Sequence, residues 1–116
     1  MDVNQKDAVE MYRREVAKVE PLTDEEQAHL FREARKPGEQ AENAKRRLLE
    51  STLQLVLPIT ERHTSSGLSM LDLIQEGNIG LMRALDNFRG NCLDDFSSFA
   101  ASYIENSISE AVAKPK

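Results

Sequence analysis

Apolar residues recur at three- and four-residue steps along most of the chain, a spacing typical of amphipathic α-helices. The clearest case is the segment 71–85, which reads LDLIQEGNIGLMRAL. Gly77 and Gly80 interrupt its pattern at a cost of about 1 kcal/mol each relative to alanine, so we expect another backbone to approach closely there. The pattern predicts a helix over residues 70–88 with one buried face and one polar face.

The first two predicted helices lie in the N-terminal third of the chain, and each ends at a proline signal. The first carries an apolar stripe over residues 9–19 and stops at Pro21. Thr23 followed by Glu26 matches a capping box, in which each side chain accepts a hydrogen bond from the other residue's backbone N–H. The box predicts the start of a second helix, which ends at Lys36 before a Pro-Gly pair.

A long third helix is predicted from Glu39, and Pro58 lies inside its apolar pattern. An interior proline removes a backbone donor and clashes with the preceding turn, at a cost of about 3 kcal/mol or more. We therefore expect a kink at Pro58 or an early helix end near Leu57. A loop is expected at residues 64–68.

A last helix is predicted over residues 95–113, after a loop at 89–94, with Asp94 and Asp95 capping its start. The fold class is therefore all-α, a compact bundle of four to five helices. The candidates for its hydrophobic core are Leu55, Val56, Ile59, Leu71, Ile74, Leu81, Leu85, Phe88, Phe96, Phe99 and Ile104.

Composition narrows the class of protein further. A chain of 116 residues with 40% hydrophobic and 30% charged residues is one domain by size. Its net charge of −5 argues against nucleic-acid binding by the whole surface, and its single cysteine, Cys92, fits a reducing cytoplasm. No apolar run reaches membrane-spanning length, so we expect a cytoplasmic protein without a membrane partner.

No catalytic pattern is visible, and we expect neither an enzyme nor a small-molecule substrate. The two histidines, His29 and His63, do not stand at metal-ligand spacing from each other or from Cys92. His63 is interpreted as a partly buried packing residue. We expect no catalytic residue, no metal ligand and no cofactor.

The segment 71–85 resembles the core-binding helix of the sigma-70 family of bacterial transcription initiation factors, where DLIQEGNIGLM-x-A is nearly a signature. The resemblance covers most of the chain, in segments 7–21 (DAVEMYRREVAKVEP), 22–26, 49–62 and 88–112. It implies a single domain over residues 1–116, similar to the second domain of sigma factors. Residues 1–36 would form the opening segment and second helix, and residues 39–113 the core-binding and promoter-facing helices.

The resemblance also implies a partner, bacterial RNA polymerase core, and a contact with the coiled-coil of its largest subunit. Two acidic side chains would pair there with arginines, two amides would form hydrogen bonds, and a methionine would pack. The polymerase-binding residues implied in this way are Leu71, Asp72, Gln75, Glu76, Asn78 and Met82.

The promoter-facing helix departs from the family pattern. Where the family has a pair of tryptophans that stack on bases, this chain has Ser102 and Tyr103, and family arginines are matched by Glu105 and Glu110. Residues 90–113 include four acidic side chains and no Lys or Arg, a poor match for a polyanion. Weak contacts with the non-template strand of promoter DNA are expected at Tyr12, Arg13, Arg14, Phe99 and Tyr103.

Three roles stay open at this point. The chain is a divergent initiation factor, or a fragment of one, with an eroded promoter-binding helix. Alternatively, it is a protein-only module that occupies the polymerase as a competitor or regulator without melting DNA. A third alternative, an acidic helical adaptor unrelated to transcription, sets the resemblance aside.

Overall fold

The computed structural model describes residues 2–113, with side chains from Asp7 onward, so Met1 and the last three residues of the predicted domain lie outside the described residues. Every regular element in this range is helical, which confirms the all-α prediction. None of these helices is long and apolar enough to span a membrane. The helices are α1 (Asp2–Ala17), α2 (Asp24–Ala34), α3 (Glu39–Thr52), α4 (Val56–Glu61), α5 (Met70–Asn87) and α6 (Leu93–Ala113).

The start of α2 matches the prediction from its capping box. Thr23 Oγ1 accepts a hydrogen bond from the Glu26 backbone N–H at 3.1 Å, and Glu26 Oε1 accepts one from the Thr23 N–H at 2.9 Å. The helix ends at Ala34, slightly before the predicted Lys36. Gly38 then reverses the chain into α3 with φ = +97°, a left-handed conformation that glycine adopts without steric cost.

The break in the predicted third helix lies earlier than expected. The prediction of a kink at Pro58 or an end near Leu57 was wrong in position, because α3 ends at Thr52 and the 3₁₀ turn Leu53–Leu55 separates it from α4. Proline has no N–H for the carbonyl four residues back and clashes with it, so the helical ladder is interrupted before Pro58 itself. Pro58 becomes the third residue of α4, where an N–H has no intrahelical partner in any case.

The centre of the bundle is formed by α5 packed along α6, with α4 across both and α2 on α3. Phe31, Phe88 and Phe96 form an aromatic cluster with ring centroids 5.2–5.9 Å apart. Their tilted and edge-on arrangement is one that aromatic pairs favour. The cluster joins α2, the α5 end and α6 into one core.

Most of the predicted core residues are buried, namely Val56, Ile59, Ile74, Leu81, Leu85, Phe88, Phe96 and Ile104. Leu55 and Phe99 are partly buried. The placement of Leu71 in the core was wrong, because its side chain is 37% exposed. The buried face of α5 includes Leu73, Gly77, Gly80 and Ala84. The expected close approach of another backbone occurs at Gly80, whereas Gly77 lies against the side chain of Val56.

The α6 helix begins at Leu93, two residues before the predicted start. Its first turn is closed by the Phe96 N–H, which donates to the Cys92 carbonyl at 3.1 Å. Asp94 and Asp95 therefore lie inside the first turn rather than at the capping position. Their charge still favours the helix there, because the N-terminus of a helix carries partial positive charge.

Candidate functional site

The exposed side of α5 carries the residues implied in polymerase binding. Leu71, Gln75, Asn78 and Met82 follow one another at four-, three- and four-residue steps, so they form one stripe along the helix. Asp72 and Glu76 form an adjoining row. We call these six residues the α5 face. Its start is held by Ser69, whose Oγ accepts from the Asp72 backbone N–H at 3.1 Å.

The α5 face combines apolar ends with a polar middle. Leu71 is 37% exposed and Met82 is 46% exposed, and both lie outside the hydrophobic core. Asp72 and Gln75 are exposed, whereas Glu76 and Asn78 are half-buried. Apolar anchors beside charged and amide groups are the composition expected of a protein-binding surface.

Beside Met82, the α5 face continues into a groove between α3 and α5 with a volume of about 510 Å³. Its apolar floor includes Leu49 and Leu53 of the α3 side together with Met82 and Leu85. The sequence pattern did not single out Leu49 and Leu53, although their four-residue spacing places them on one side of the chain. The groove widens the candidate binding surface from one helix to two.

Residues 45–47 are all basic, and two of them, Lys45 and Arg46, lie at the rim of this groove. Lys45 Nζ lies 3.6 Å from Glu42 Oε1 of α3 and 3.8 Å from Asp86 Oδ1 of α5, so this side chain bridges the two helices. Arg46 lines the groove beside it. These two cations therefore lie at the groove beside α5.

Tyr12 of α1 touches the α5 face. Its hydroxyl donates to Asn78 Oδ1 at 3.5 Å, so a residue expected to contact DNA is linked to one expected to contact polymerase. Burial raises the pKa of the Tyr12 phenol above its ordinary value of 10.0, and the hydrogen bond with Asn78 offsets part of that rise. The phenol therefore keeps its proton, and can donate, throughout the neutral pH range.

The two arginines that follow Tyr12 lie in different surroundings. Arg13 is 3.8 Å from Glu10 within α1 and 3.9 Å from Glu61 at the end of α4. Arg14 is exposed in the last turn of α1. Both arginines are exposed, but only Arg13 is paired with carboxylates of α1 and α4 in the described residues.

The two aromatic residues predicted to stack on bases lie on the edge of the core. Phe99 and Tyr103 are half-buried on α6, with ring centroids 5.0 Å apart, and Phe99 also contacts Phe88 at 5.4 Å. Part of each ring is already covered by protein. The structure thus brings Phe99 and Tyr103 together on α6. Arg13 and Arg14 belong to a different helix, α1.

Acidic residues of α6 pair with side chains from α5 and from the turn that follows α4. Glu105 lies 3.2 Å from the Arg62 guanidinium and 2.8 Å from His63 Nε2. Glu110 lies 3.9 Å from Arg83 of α5. His63 was interpreted as a packing residue, and the structure adds a polar partner to its partial burial. These pairings reduce the positive charge available for phosphate beside α6.

No group of three or more His, Cys, Asp or Glu side chains that could hold a metal ion occurs among the described residues. Two surfaces carry the candidate residues: the α5 face with its groove, and the outer side of α6, which includes Phe99 and Tyr103. Both are suited to macromolecular contact.

Comparison with known proteins supports the sequence resemblance. Residues 48–116 match the model of sigma-70 region 2, which includes α4, α5, α6 and the α5 face. The RNA polymerase sigma factors SigA of Lactococcus lactis subsp. cremoris and of a Bacillus species are each 39% identical to this chain over 107 residues, which is 92% of its length. The match spans 29% and 28% of those two relatives, so the chain covers under a third of their length.

The family match contains α5 and α6 and the end of α3, and the match to the two relatives covers 92% of the chain. The chain therefore belongs to the sigma-70 family and carries its region 2.

Proposed function

We propose that this chain acts as a sigma-type transcription initiation domain that binds bacterial RNA polymerase core through the α5 face. The observation that carries the proposal is the exposure of Leu71 and Met82 at opposite ends of one polar stripe. Apolar side chains outside the core stabilise the protein only when a partner removes their surface from water. The proposal places the protein in the cytoplasm, where bacterial RNA polymerase works.

The chemistry of the α5 face specifies what the partner presents. Asp72 and Glu76 accept hydrogen bonds and carry negative charge, so arginines are suitable partners for them. The groove along Leu49 and Leu53 is open beside Met82 and accepts a helix that presents apolar side chains. Both features support the coiled-coil of the largest polymerase subunit as the contacting element.

The DNA contact in this proposal is weak. Tyr103 and Phe99 can still stack on an unpaired base with their exposed portions, at about 1–3 kcal/mol per base. The α6 helix has no Lys or Arg, and the nearby Arg62 is engaged by Glu105. Phosphate contacts, which supply most of the salt-dependent affinity for nucleic acid, are therefore few on this side.

A second candidate function is favoured by one observation, the acidic character of α6. A protein that occupies the α5-binding site of polymerase without opening DNA would act as a competitor of other initiation factors. Family membership favours the initiation role over this one, and it disfavours an adaptor unrelated to transcription.

A paired titration separates these roles. The full chain is titrated with a fragment of the polymerase coiled-coil, and separately with a single-stranded promoter oligonucleotide at low salt. Binding to both supports the initiation role, and binding to the coiled-coil alone supports the competitor. Failure to bind the coiled-coil overturns the proposal.

A further inference from the structure

The amide of Asn78 is only partly available to a partner. An asparagine side chain offers one carbonyl oxygen as acceptor and one NH₂ group with two donors. In the structure the oxygen Oδ1 accepts from the Tyr12 hydroxyl at 3.5 Å, with the side chains half-buried. This contact orients the amide so that its oxygen points toward α1, which leaves the NH₂ group for a partner.

The position of Tyr12 is itself held from two sides. Its ring packs against the hydrophobic core, and α1 contacts both α5 and the 3₁₀ turn Leu53–Leu55. The next residue, Arg13, lies 3.9 Å from Glu61 of α4. The hydroxyl is therefore presented to Asn78 by a helix that packs against the bundle through the Tyr12 ring.

We propose that Tyr12 is a positioning residue for the α5 face, which makes Asn78 a hydrogen-bond donor toward the polymerase. The group opposite Asn78 must then be an acceptor, either a main-chain carbonyl or a carboxylate. This inference rests on the proposed function and adds to it the polarity of one contact. It also assigns to α1 a part in polymerase binding that is separate from any contact with DNA.

Together with its neighbours, Asn78 defines a pattern on the partner. Asp72 and Glu76 carry only acceptors, so they require cationic donors opposite them. The NH₂ group of Asn78 is a donor, so it requires an acceptor opposite it. A partner surface with arginines beside one exposed acceptor satisfies all three residues at once, and a uniformly basic surface does not satisfy Asn78.

A double-mutant cycle on the full chain tests the role of Tyr12. Tyr12→Phe removes only the hydroxyl, Asn78→Ala removes the amide, and the affinity of each single and double variant for the coiled-coil fragment is measured by titration. We expect Tyr12→Phe to weaken binding by about 3- to 10-fold, the range of one hydrogen bond that is lost or misplaced. In the Asn78→Ala background, Tyr12→Phe has no further effect, because the group it orients is absent.

The polarity of the contact has its own test in Asn78→Asp, which replaces the donor by an acceptor of the same size. We expect this variant to bind more weakly than Asn78→Ala, since two acceptors then face each other. Met11→Leu, a change at an exposed neighbour on α1, serves as the control and should leave affinity unchanged. Thermal denaturation of every variant shows whether a loss reflects unfolding.

Three results overturn the inference while the proposed function stands: equal effects of Tyr12→Phe with and without Asn78, a gain in affinity from Tyr12→Phe, or wild-type binding by Asn78→Asp. In each of these the wild-type protein still binds the coiled-coil. If the wild-type protein does not bind it, the proposed function and this inference fail together.

Discussion

Gly80 of α5 lies so close to Ile104 of α6 that a Cβ atom on Gly80 would be 2.8 Å from the Ile104 Cα. The same atom would be 2.5 Å from the Tyr103 carbonyl oxygen and 2.9 Å from Ser107 Cβ. These are backbone atoms and a buried side chain, which cannot move aside without shifting α6. The position of α6 against α5 therefore depends on glycine at residue 80, which has no side chain.

Gly80→Ala should lower the free energy of unfolding although alanine is the better helix former. Overpacking costs about 1–3 kcal/mol, which exceeds the gain of about 1 kcal/mol in helix propensity. Gly77→Ala is the matched variant, because its Cβ would meet the Val56 side chain at 2.6 Å rather than backbone. Denaturant unfolding should show the larger loss for Gly80→Ala, and a stabilised Gly80→Ala would contradict the packing.

Glu76→Lys should abolish binding to the polymerase coiled-coil without unfolding the domain. Glu76 is half-buried on the α5 face, and reversing a charge in a desolvated pair costs about 2–5 kcal/mol of binding free energy. Titration and circular dichroism measure the two effects separately. Glu15→Lys makes the same charge change on α1 and should bind normally, whereas unchanged binding by Glu76→Lys would exclude the α5 face as the contact.

Glu105→Gln should strengthen binding to single-stranded DNA at low salt. The change releases the Arg62 guanidinium, whose Nη2 lies 3.2 Å from Glu105 Oε2 of α6 in the native protein. Each new phosphate contact steepens the dependence of log affinity on log salt by about 0.7 for a single strand. Glu15→Gln removes the same charge far from α6, so an equal effect from both variants would indicate net charge rather than release of Arg62.

The capping box at α2 should make the free energy of unfolding depend on pH in the acidic range. The Thr23 backbone N–H, followed by the Thr23 hydroxyl group, holds the pKa of Glu26 below its ordinary value of 4.5. Because the folded pKa is lowered, this contribution is present above the ordinary value and is lost as the pH falls through the lowered one. Unfolding free energies measured from about pH 5 to pH 3 should fall less steeply in Glu26→Gln than in the native protein.

Thr23→Ala provides an independent check of the same box. Loss of an N-cap hydroxyl costs about 1 kcal/mol of stability, which thermal unfolding resolves. Glu25→Gln removes a carboxylate from the same turn without touching the box, so it controls for the loss of charge near the helix start. Identical acid dependence of Glu26→Gln and the native protein would show that the box makes no contribution.

Several features followed from local pattern alone. The helix over Met70–Asn87 and the box of Thr23 and Glu26 are properties of short segments, because helical periodicity and capping involve residues a few positions apart. The family could also be recognised from the run 71–85, and the all-α class follows from the same periodicity. The polymerase-binding and DNA-binding residues remain predictions that the experiments above address.

Other features depended on contacts between segments distant along the chain. Leu71 was placed in the core because it is large and apolar, yet the buried face of α5 is set by where α4 and α6 cross it, at Gly77 and Gly80. The Tyr12–Asn78 hydrogen bond and the pairing of Glu105 with Arg62 join residues 66 and 43 positions apart. The sequence alone determined which segments are helices and which family they belong to. Only the tertiary structure decided that Leu71 is exposed and which polar groups are already engaged, since both depend on how the helices pack.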